Sequence, residues 1–323
     1  WQTFFLVVPM VSTTFASFGR LFTGLGPESL GWLLIDEAGQ ICPQGAVGGI
    51  WRSRRVIVVG DPLQLQPVVT MPRKAQYDIA AAFGVSSVWI PPQASVQTLA
   101  DRISRYGTTL CHGEKPMWVS APLTVHRRCD DPMFRLCNEI AYGGMMVSGV
   151  HHYLDNSDHP DLFLLEGPRG LRVPASQWLD VREIPSCTHL QKNQMKLLRR
   201  LLDDLRGREI KMSQIIAISP FRVVANELES LARSYPGLCG GTIHTAQGRE
   251  ADVVFLILGG KPDAPGAKAW ASSTVNLVNV AASRAKRRLY VIGDRTAWAQ
   301  YPYFADLASA LAPEPQQAVD TVG

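Results

Sequence analysis

LLIDEAGQ, residues 33–40, is an apolar run that stops at two acids. With Trp32 it has the length of a strand and no alternation, the pattern of a parallel strand covered on both faces by helices. RVIVVGD (55–61) repeats the pattern and ends at Gly-Asp-Pro. FFLVVPM (4–10) is a third such run, expected as a buried strand leading into the hydroxyl-rich turn VSTT. Open α/β sheets meet their ligands at the carboxyl ends of strands, which makes Asp36 and Glu37 candidate functional acids. An Asp so placed can hold a magnesium ion, and a Glu can orient or deprotonate an attacking water. The same pair could equally cap a following helix.

GDPLQLQP (60–67) follows the second run directly. Gly60 permits a tight turn, Pro62 stiffens it, and Gln64 is presented from that loop with an amide able to donate to a phosphate oxygen and accept from water. Residues 68–120 offer one amphipathic helix candidate, SVQTLADRISRYG, among Pro/Gly-rich connections. A second series follows: LQKNQMKLLRRLLDDLRG (190–207) has helical period, IIAISPF (215–221) reads as a strand, VVANELESLARSYPG (223–237) as a helix and ADVVFLILGG (251–260) as a buried strand. VNLVNVAASRAKRRLYVIGD (275–294) reads as a helix running into the strand LYVIG, with Arg287 and Arg288 on a solvated helix face. Strands alternating with helices twice over predict an α/β chain of two parallel-sheet domains, 1–120 and 121–312, with a disordered tail at 313–323.

An apolar share of 46% and a charged share of 19% are those of a globular protein and exclude a disordered one. The net charge of +4 permits a polyanionic partner without demanding one. Six cysteines without a C-x-x-C pair argue against a disulfide framework or a structural zinc site. The opening uncharged stretch carries Gln2, Pro9 and a Ser/Thr cluster, a poor fit to a membrane span or signal peptide. The expected location is cytoplasmic, or nuclear in a eukaryote, with no membrane partner.

DEAGQ followed by GDPLQLQP resembles motifs II and III of superfamily 1 helicases, in the 5′-to-3′ branch that includes the nonsense-mediated-decay helicase and its DNA relatives. Further segments match that family in order. LTVHRRCDDPMF (123–134) resembles the segment that opens the second motor domain; by position Arg127 would point at the γ-phosphate and His126 would replace an adenine-stacking tyrosine, with Arg128 an alternative to Arg127. ISPFR (218–222) resembles motif IV and makes Ser219 and Arg222 candidates for contact with nucleic-acid backbone, although Ser219 could also be a helix N-cap. GTIHTAQGREADVVFLIL (241–258) resembles motif V: Thr242, His244 and Thr245 would face the nucleic acid, while Gln247, Gly248 and Glu250 would lie on the nucleotide side. In VNVAASRAKRRLYVIGD (278–294), similar to motif VI, Arg284 would be the arginine finger. Ser12, Thr13 and Thr14 resemble the backbone-phosphate donors just upstream of the acids.

The resemblance implies two RecA-like, P-loop NTPase-type domains using ATP and Mg2+, with single-stranded DNA or RNA as partner and movement in the 5′-to-3′ sense. One part of that pattern is missing: the 323 residues contain no Gly-Lys-Ser/Thr tripeptide to cradle a triphosphate. The expectation is the carboxyl-terminal part of a larger helicase, its first sheet domain incomplete, with little ATP turnover by itself. The alternative is a helicase-derived module that binds nucleic acid or protein without catalysis.

Overall fold

The computed structural model describes residues 1–112, 115–150, 163, 173–246 and 248–311. The chain divides into two units, one of Trp1–Thr109 with Trp118–Pro122 and one of Leu110–Met117 with Leu123–Gly323.

In the first unit α1 (Gln2–Val7) and α2 (Phe15–Leu21) precede β1 (Leu30–Ile35), and α3 (Pro43–Trp51) leads into β2 (Ser53–Val58). α4 (Arg73–Ala82) and α5 (Val96–Ile103) follow; the short strands β3 (Thr108–His112) and β4 (Lys115–Val119) are divided between the two units, residues 110–117 falling in the second. β1 and β2 pair in parallel from Leu30↔Ser53 to Ile35↔Val58. One face of the pair is covered: Leu33, Ile35, Val56 and Val58 pack with Ala38, Ala46, Val96 and Phe15. α5, which supplies Val96, starts at a capping box in which Ser95 and Thr98 each accept the other's backbone N–H.

The other face departs from the expectation of strands buried on both sides. Trp32, Leu34 and Ile57 are 56%, 66% and 43% exposed, and the Arg55 guanidinium lies 5.2 Å over the Trp32 ring. A parallel sheet of two strands, the number found among the described residues, has half the cover that parallel pairing calls for. FFLVVPM is the second correction, since residues 2–7 form a helix with no buried residue and not a buried strand. A short apolar run has no period that separates the two forms. The helix brings Trp1, Phe4 and Phe5 to one side, with Trp1 5.2 Å from Phe22, where a strand would send Phe4 and Phe5 to opposite faces.

The second unit is built on a five-stranded parallel sheet. β5 (Val125–His126) and β6 (Val147–Ser148) form a separate short pair around α6 (Met133–Tyr142). Next come β7 (Gln177–Asp180), α7 (Lys192–Gly207), β8 (Ile215–Ser219), α8 (Arg222–Ala232), β9 (Cys239–Thr242) and β10 (Ala251–Ile257). α9 (Pro265–Ala271), α10 (Asn276–Ser283), β11 (Ala285–Gly293), α11 (Arg295–Trp298) and α12 (Phe304–Ala310) complete the unit. The sheet order is β7-β11-β10-β8-β9, every neighbouring pair parallel. All of β8, and all of β10 except Asp252, is buried, so helices cover both faces. α7 and α8 pack on β11 and on β8–β9, and α10, backed by α6, packs on β10 and β11.

β11 begins at Ala285, four residues before the expected LYVIG, so Arg287 and Arg288 sit on a strand and not on a solvated helix face. Arg287 is 8% exposed and pairs with Asp130 at 2.9 Å. No helix among the described residues is long and apolar enough to cross a membrane. The cysteines whose side chains are described, 42, 129, 137, 187 and 239, are free thiols. The tail expected at 313–323 lies outside the described residues.

The two sheets predict unequal responses to truncation. Leu256→Ala on β10, where the side chain is fully buried, should cost about 2–5 kcal/mol. Leu34→Ala on the open face of β1 should cost less than about 0.5 kcal/mol. Urea unfolding monitored by circular dichroism checks both.

Candidate active site

The acids of the first unit stand where β1 ends. Asp36 and Glu37 are exposed, and the Asp36 Oδ1 accepts the Glu37 N–H at 2.9 Å. Glu37 itself sits in the left-handed region, φ 53° and ψ 37°, which costs a non-glycine residue about 1–2 kcal/mol. Its Oε2 accepts from the Gln40 amide at 2.9 Å. Neither acid caps a helix: α3 has Cys42 at its N-cap, and no side chain caps the turn at 38–40.

The loop after β2 is pressed against this one. Ala38 N–H donates to Val59 O at 3.0 Å, and a Cβ on Gly39 would lie 2.6 Å from the Asp61 carbonyl oxygen. A Cβ on Gly60 would lie 2.7 Å from the Gly39 nitrogen. Two glycines are thus needed for two backbones to touch. Asp61 braces the second loop, its Oδ1 accepting from Leu63 N–H and its Oδ2 from the Gln64 amide at 2.9 Å. The acids and Gln64, 27 residues apart in sequence, so stand on adjoining loops at one sheet edge.

Among the described residues no three His, Cys, Asp or Glu side chains cluster as a metal site. Magnesium does not need such a cluster, because it binds through one or two carboxylates with phosphates and water. Asp36 fits that use, exposed and with one oxygen outside its bond to Glu37.

Nearby, Thr14 caps α2 by accepting from Ser17 N–H at 3.3 Å, Thr13 hydroxyl points to Thr14 O at 3.4 Å, and Ser12 is exposed.

In the second unit the expected residues separate to opposite edges of the sheet. At the amino edge, where β10 and β11 begin, Arg128 Nε lies 2.7 Å from a Glu250 carboxylate oxygen and Lys286 Nζ 3.4 Å from the other. Arg128 also reaches Ser283 O at 3.3 Å. Arg284 ends α10, is 3% exposed, and directs Nη1 to Arg249 O at 3.5 Å. Burial works to raise the Glu250 pKa, but Arg128 and Lys286, by charge and hydrogen bond, outweigh it and hold the carboxyl below its ordinary value. Arg127 is exposed and makes no ion pair among the described residues.

His126 Nε2 accepts the Cys129 N–H at 2.8 Å, and its ring lies 5.3 Å from Phe134. Burial, and then the Arg128 charge, lower its pKa, which suits an unprotonated acceptor nitrogen. Burial pushes the Cys129 thiol up to about 12, so it is an inert core group. Gly248 has φ +67°, and Gln247 lies outside the described residues.

At the carboxyl edge Ser219 pairs in register with Thr242. Ser219 is fully buried and its Oγ accepts Phe221 N–H, so the N-cap of α8 is Phe221. Arg222 is exposed at the start of α8. Thr242 and Thr245 lock each other, Oγ1 to Oγ1 at 2.9 Å, with each Oγ1 also accepting the other's N–H. Partial desolvation of the His244 ring, and then the Arg222 charge, lower its pKa.

The Arg128–Glu250–Lys286 set and the Arg287–Asp130 pair had no signal in the sequence beyond their charges. They depend on where β11 begins, a boundary that the run SRAKRRLYV does not mark.

A five-stranded parallel sheet with polar residues gathered at both strand ends defines an α/β protein of the RecA-like, P-loop NTPase kind. Residues 109–296, more than half of the chain, match the AAA domain family, and the chain belongs to it. It is a relative of the superfamily 1 helicases. It is similar to the human protein named DNA replication ATP-dependent helicase/nuclease DNA2, 25% identical over 315 residues that cover 87% of this chain and 26% of that one. The Bos taurus protein of the same name is 24% identical over 315 residues, 89% of this chain and 27% of the relative. The chain spans about a quarter of the length of these curated relatives. Among solved structures it is similar to Arterivirus nonstructural protein 10, a helicase, in complex with DNA, at 16% identity and a TM-score of 0.37, covering 83% of this chain and 40% of that one. The PRRSV helicase is similar at 14% identity and a TM-score of 0.37, covering 82% of this chain and 36% of its own.

The Glu250 set has a pH signature. Its folded pKa lies below the unfolded value, so its contribution to stability is intact above the ordinary glutamate pKa near 4.5 and is lost as pH falls through the folded value. Glu250→Gln should therefore flatten the acid limb of stability, read by thermal unfolding from about pH 6 to about pH 3.

Proposed function

We propose that this chain is part of an ATP-dependent helicase or translocase that couples ATP hydrolysis to 5′-to-3′ movement along single-stranded DNA or RNA. Residues 243–250 carry the reading. They leave β9 at the carboxyl edge, beside Ser219, and enter β10 at the amino edge, where Glu250 meets Arg128 and Lys286. β9 and β10 flank β8 and run parallel to it, so this segment must travel the length of the sheet between its edges. A shift of Glu250 at the nucleotide edge therefore has a covalent path, eight residues long, to the Thr242–Thr245 lock at the other. Such a connection gives hydrolysis at one edge a means to bias grip at the other.

In this reading Asp36 holds Mg2+, which supplies charge neutralisation to the phosphates. Glu37 orients and deprotonates the attacking water, and Gln64 positions it from the braced loop. Arg127 and Arg284 stabilise charge on the transferring phosphoryl group, and His126 lies against the adenine. Gln247, Gly248 and Glu250 answer to the nucleotide. Ser12, Thr13, Thr14, Arg222, Thr242, His244 and Thr245 contact the strand through its phosphates, which makes binding salt-sensitive and largely indifferent to sequence. With no Gly-Lys-Ser/Thr tripeptide, the 323-residue chain by itself turns over little ATP.

The test is made in the full-length protein. Glu37→Gln should abolish hydrolysis while ATP binding, read with a fluorescent analogue, persists; hydrolysis that survives removes Glu37 from the chemistry. Arg284→Ala should lower turnover by about 10³ with folding unchanged by circular dichroism. A loss of only a few-fold moves the role to Arg127 or Arg128.

A further inference from the structure

The carboxyl edge of the larger sheet contains a feature centred on His189, a residue outside the helicase motifs. The connection after β8 runs outward to β9, whereas the one after β10 runs the other way to β11. Neighbouring strands whose connections diverge leave a crevice beyond their carboxyl ends, the usual place for a ligand in an open α/β sheet. In this sheet the divergence falls between β8 and β10.

His189 lies there. Its imidazole is stacked on Phe221, the first residue beyond Pro220 after β8, with ring centroids 4.0 Å apart and planes 11° from parallel. Its carbonyl accepts Gly260 N–H at 2.9 Å, just past β10. Phe221 is buried and backed by Trp298 at 6.1 Å, which lies 4.7 Å from Phe304. The column of rings thus runs from the crevice into the core.

The segment bearing His189 is fixed from below. Buried Gln191 bonds to both the N–H and the carbonyl of Ile184 and to Gly260 O at 2.9 Å. Fully buried Gln194 accepts Gly259 N–H at 2.9 Å. His189 Nδ1 is buried without a hydrogen-bond partner, and one ring face is spent on Phe221. The residue keeps intermediate exposure, so part of the ring remains accessible at the crevice. Burial, then the charges of Lys268 and Lys261, lower its pKa and favour a neutral ring.

A flat, neutral, pre-set aromatic surface at a ligand-binding crevice, with exposed Arg222 beginning the adjacent helix, matches what single-stranded nucleic acid binds: a cation for the phosphate and a π-face for the base. We propose that His189, held on Phe221, is a stacking platform for one nucleobase of the bound strand, the neighbouring phosphate being met by Arg222. The proposal rests on the reading of this edge as the nucleic-acid face.

The test uses the 323-residue chain and two fluorescein-labelled strands of equal length, oligodeoxythymidylate and an abasic deoxyribose-phosphate strand, with Kd from anisotropy. The unsubstituted chain should bind the thymidylate strand about tenfold more tightly than the abasic one. His189→Ala should erase that preference, leaving abasic binding and the salt dependence unchanged, and His189→Tyr, which keeps a ring, should retain it. Arg222→Ala should weaken both strands and lower the slope of log Kd against log salt by about 0.7. Equal binding of the two strands by the unsubstituted chain, or equal weakening of both by His189→Ala, overturns the platform and leaves the nucleic-acid reading standing. Binding of neither strand overturns both.

Discussion

β10 is paired on both sides and buried on both faces, and that constraint arranges the second unit. A strand enclosed in this way has no room for a charged side chain along its length, because an unpaired charge there costs several kcal/mol. Polar groups must collect at its ends. Glu250 and Asp252 stand at the amino end, within reach of Arg128 and Lys286, and Gly259 and Gly260 stand at the carboxyl end, where Gln191 and Gln194 take their backbone groups. The sheet thus separates two chemistries by the length of a strand, and residues 243–250 are the covalent link that runs back between them.

The first unit obeys the same rule with less cover. Its two strands also deliver acids and an amide to their carboxyl ends, but helix packing encloses only one face. Definition at that edge comes instead from close backbone contact between the loops at Gly39 and Gly60, and from Asp61 bracing Gln64. Glu37, in left-handed backbone, stands two residues before Gly39 in this contact. Strain of that kind survives where the surroundings over-determine it, as they do at functional sites.

The parallel architecture was legible because buried strands are apolar without alternation: ADVVFLIL is interrupted only by Asp252, and IIAIS only by its last residue, Ser219. The placing of Asp36, Glu37 and Gln64 at strand ends was legible for the same reason. Three features were not. FFLVV has no period that separates helix from strand, and the choice was made by a tertiary contact, Trp1 on Phe22. The exposed face of β1 could not be foreseen, since Trp32 and Leu34 are as apolar as the side that is packed. In SRAKRRLYV the strand begins among the charges, so the pairs Arg287–Asp130 and Lys286–Glu250 depend on a register that composition does not encode.

Charge at the two edges of the larger sheet differs in commitment more than in amount. At the amino edge Arg128, Lys286 and Arg287 are already matched to Glu250, Asp252 and Asp130. Under the proposed function, a nucleotide phosphate reaching those cations exchanges one anion for another. Its net gain is small, and Glu250 is displaced in proportion to how well the phosphate competes. At the carboxyl edge Arg222 is exposed, His244 favours its neutral form, and the two threonine hydroxyls hold each other. A phosphodiester there meets donors without displacing a carboxylate, so binding should follow counterion release and fall with salt. The net charge of +4 says little about either event. What matters is that the cations nearest the start of β10 have partners to give up, and that the displaced partner, Glu250, lies on the segment leading to the other edge.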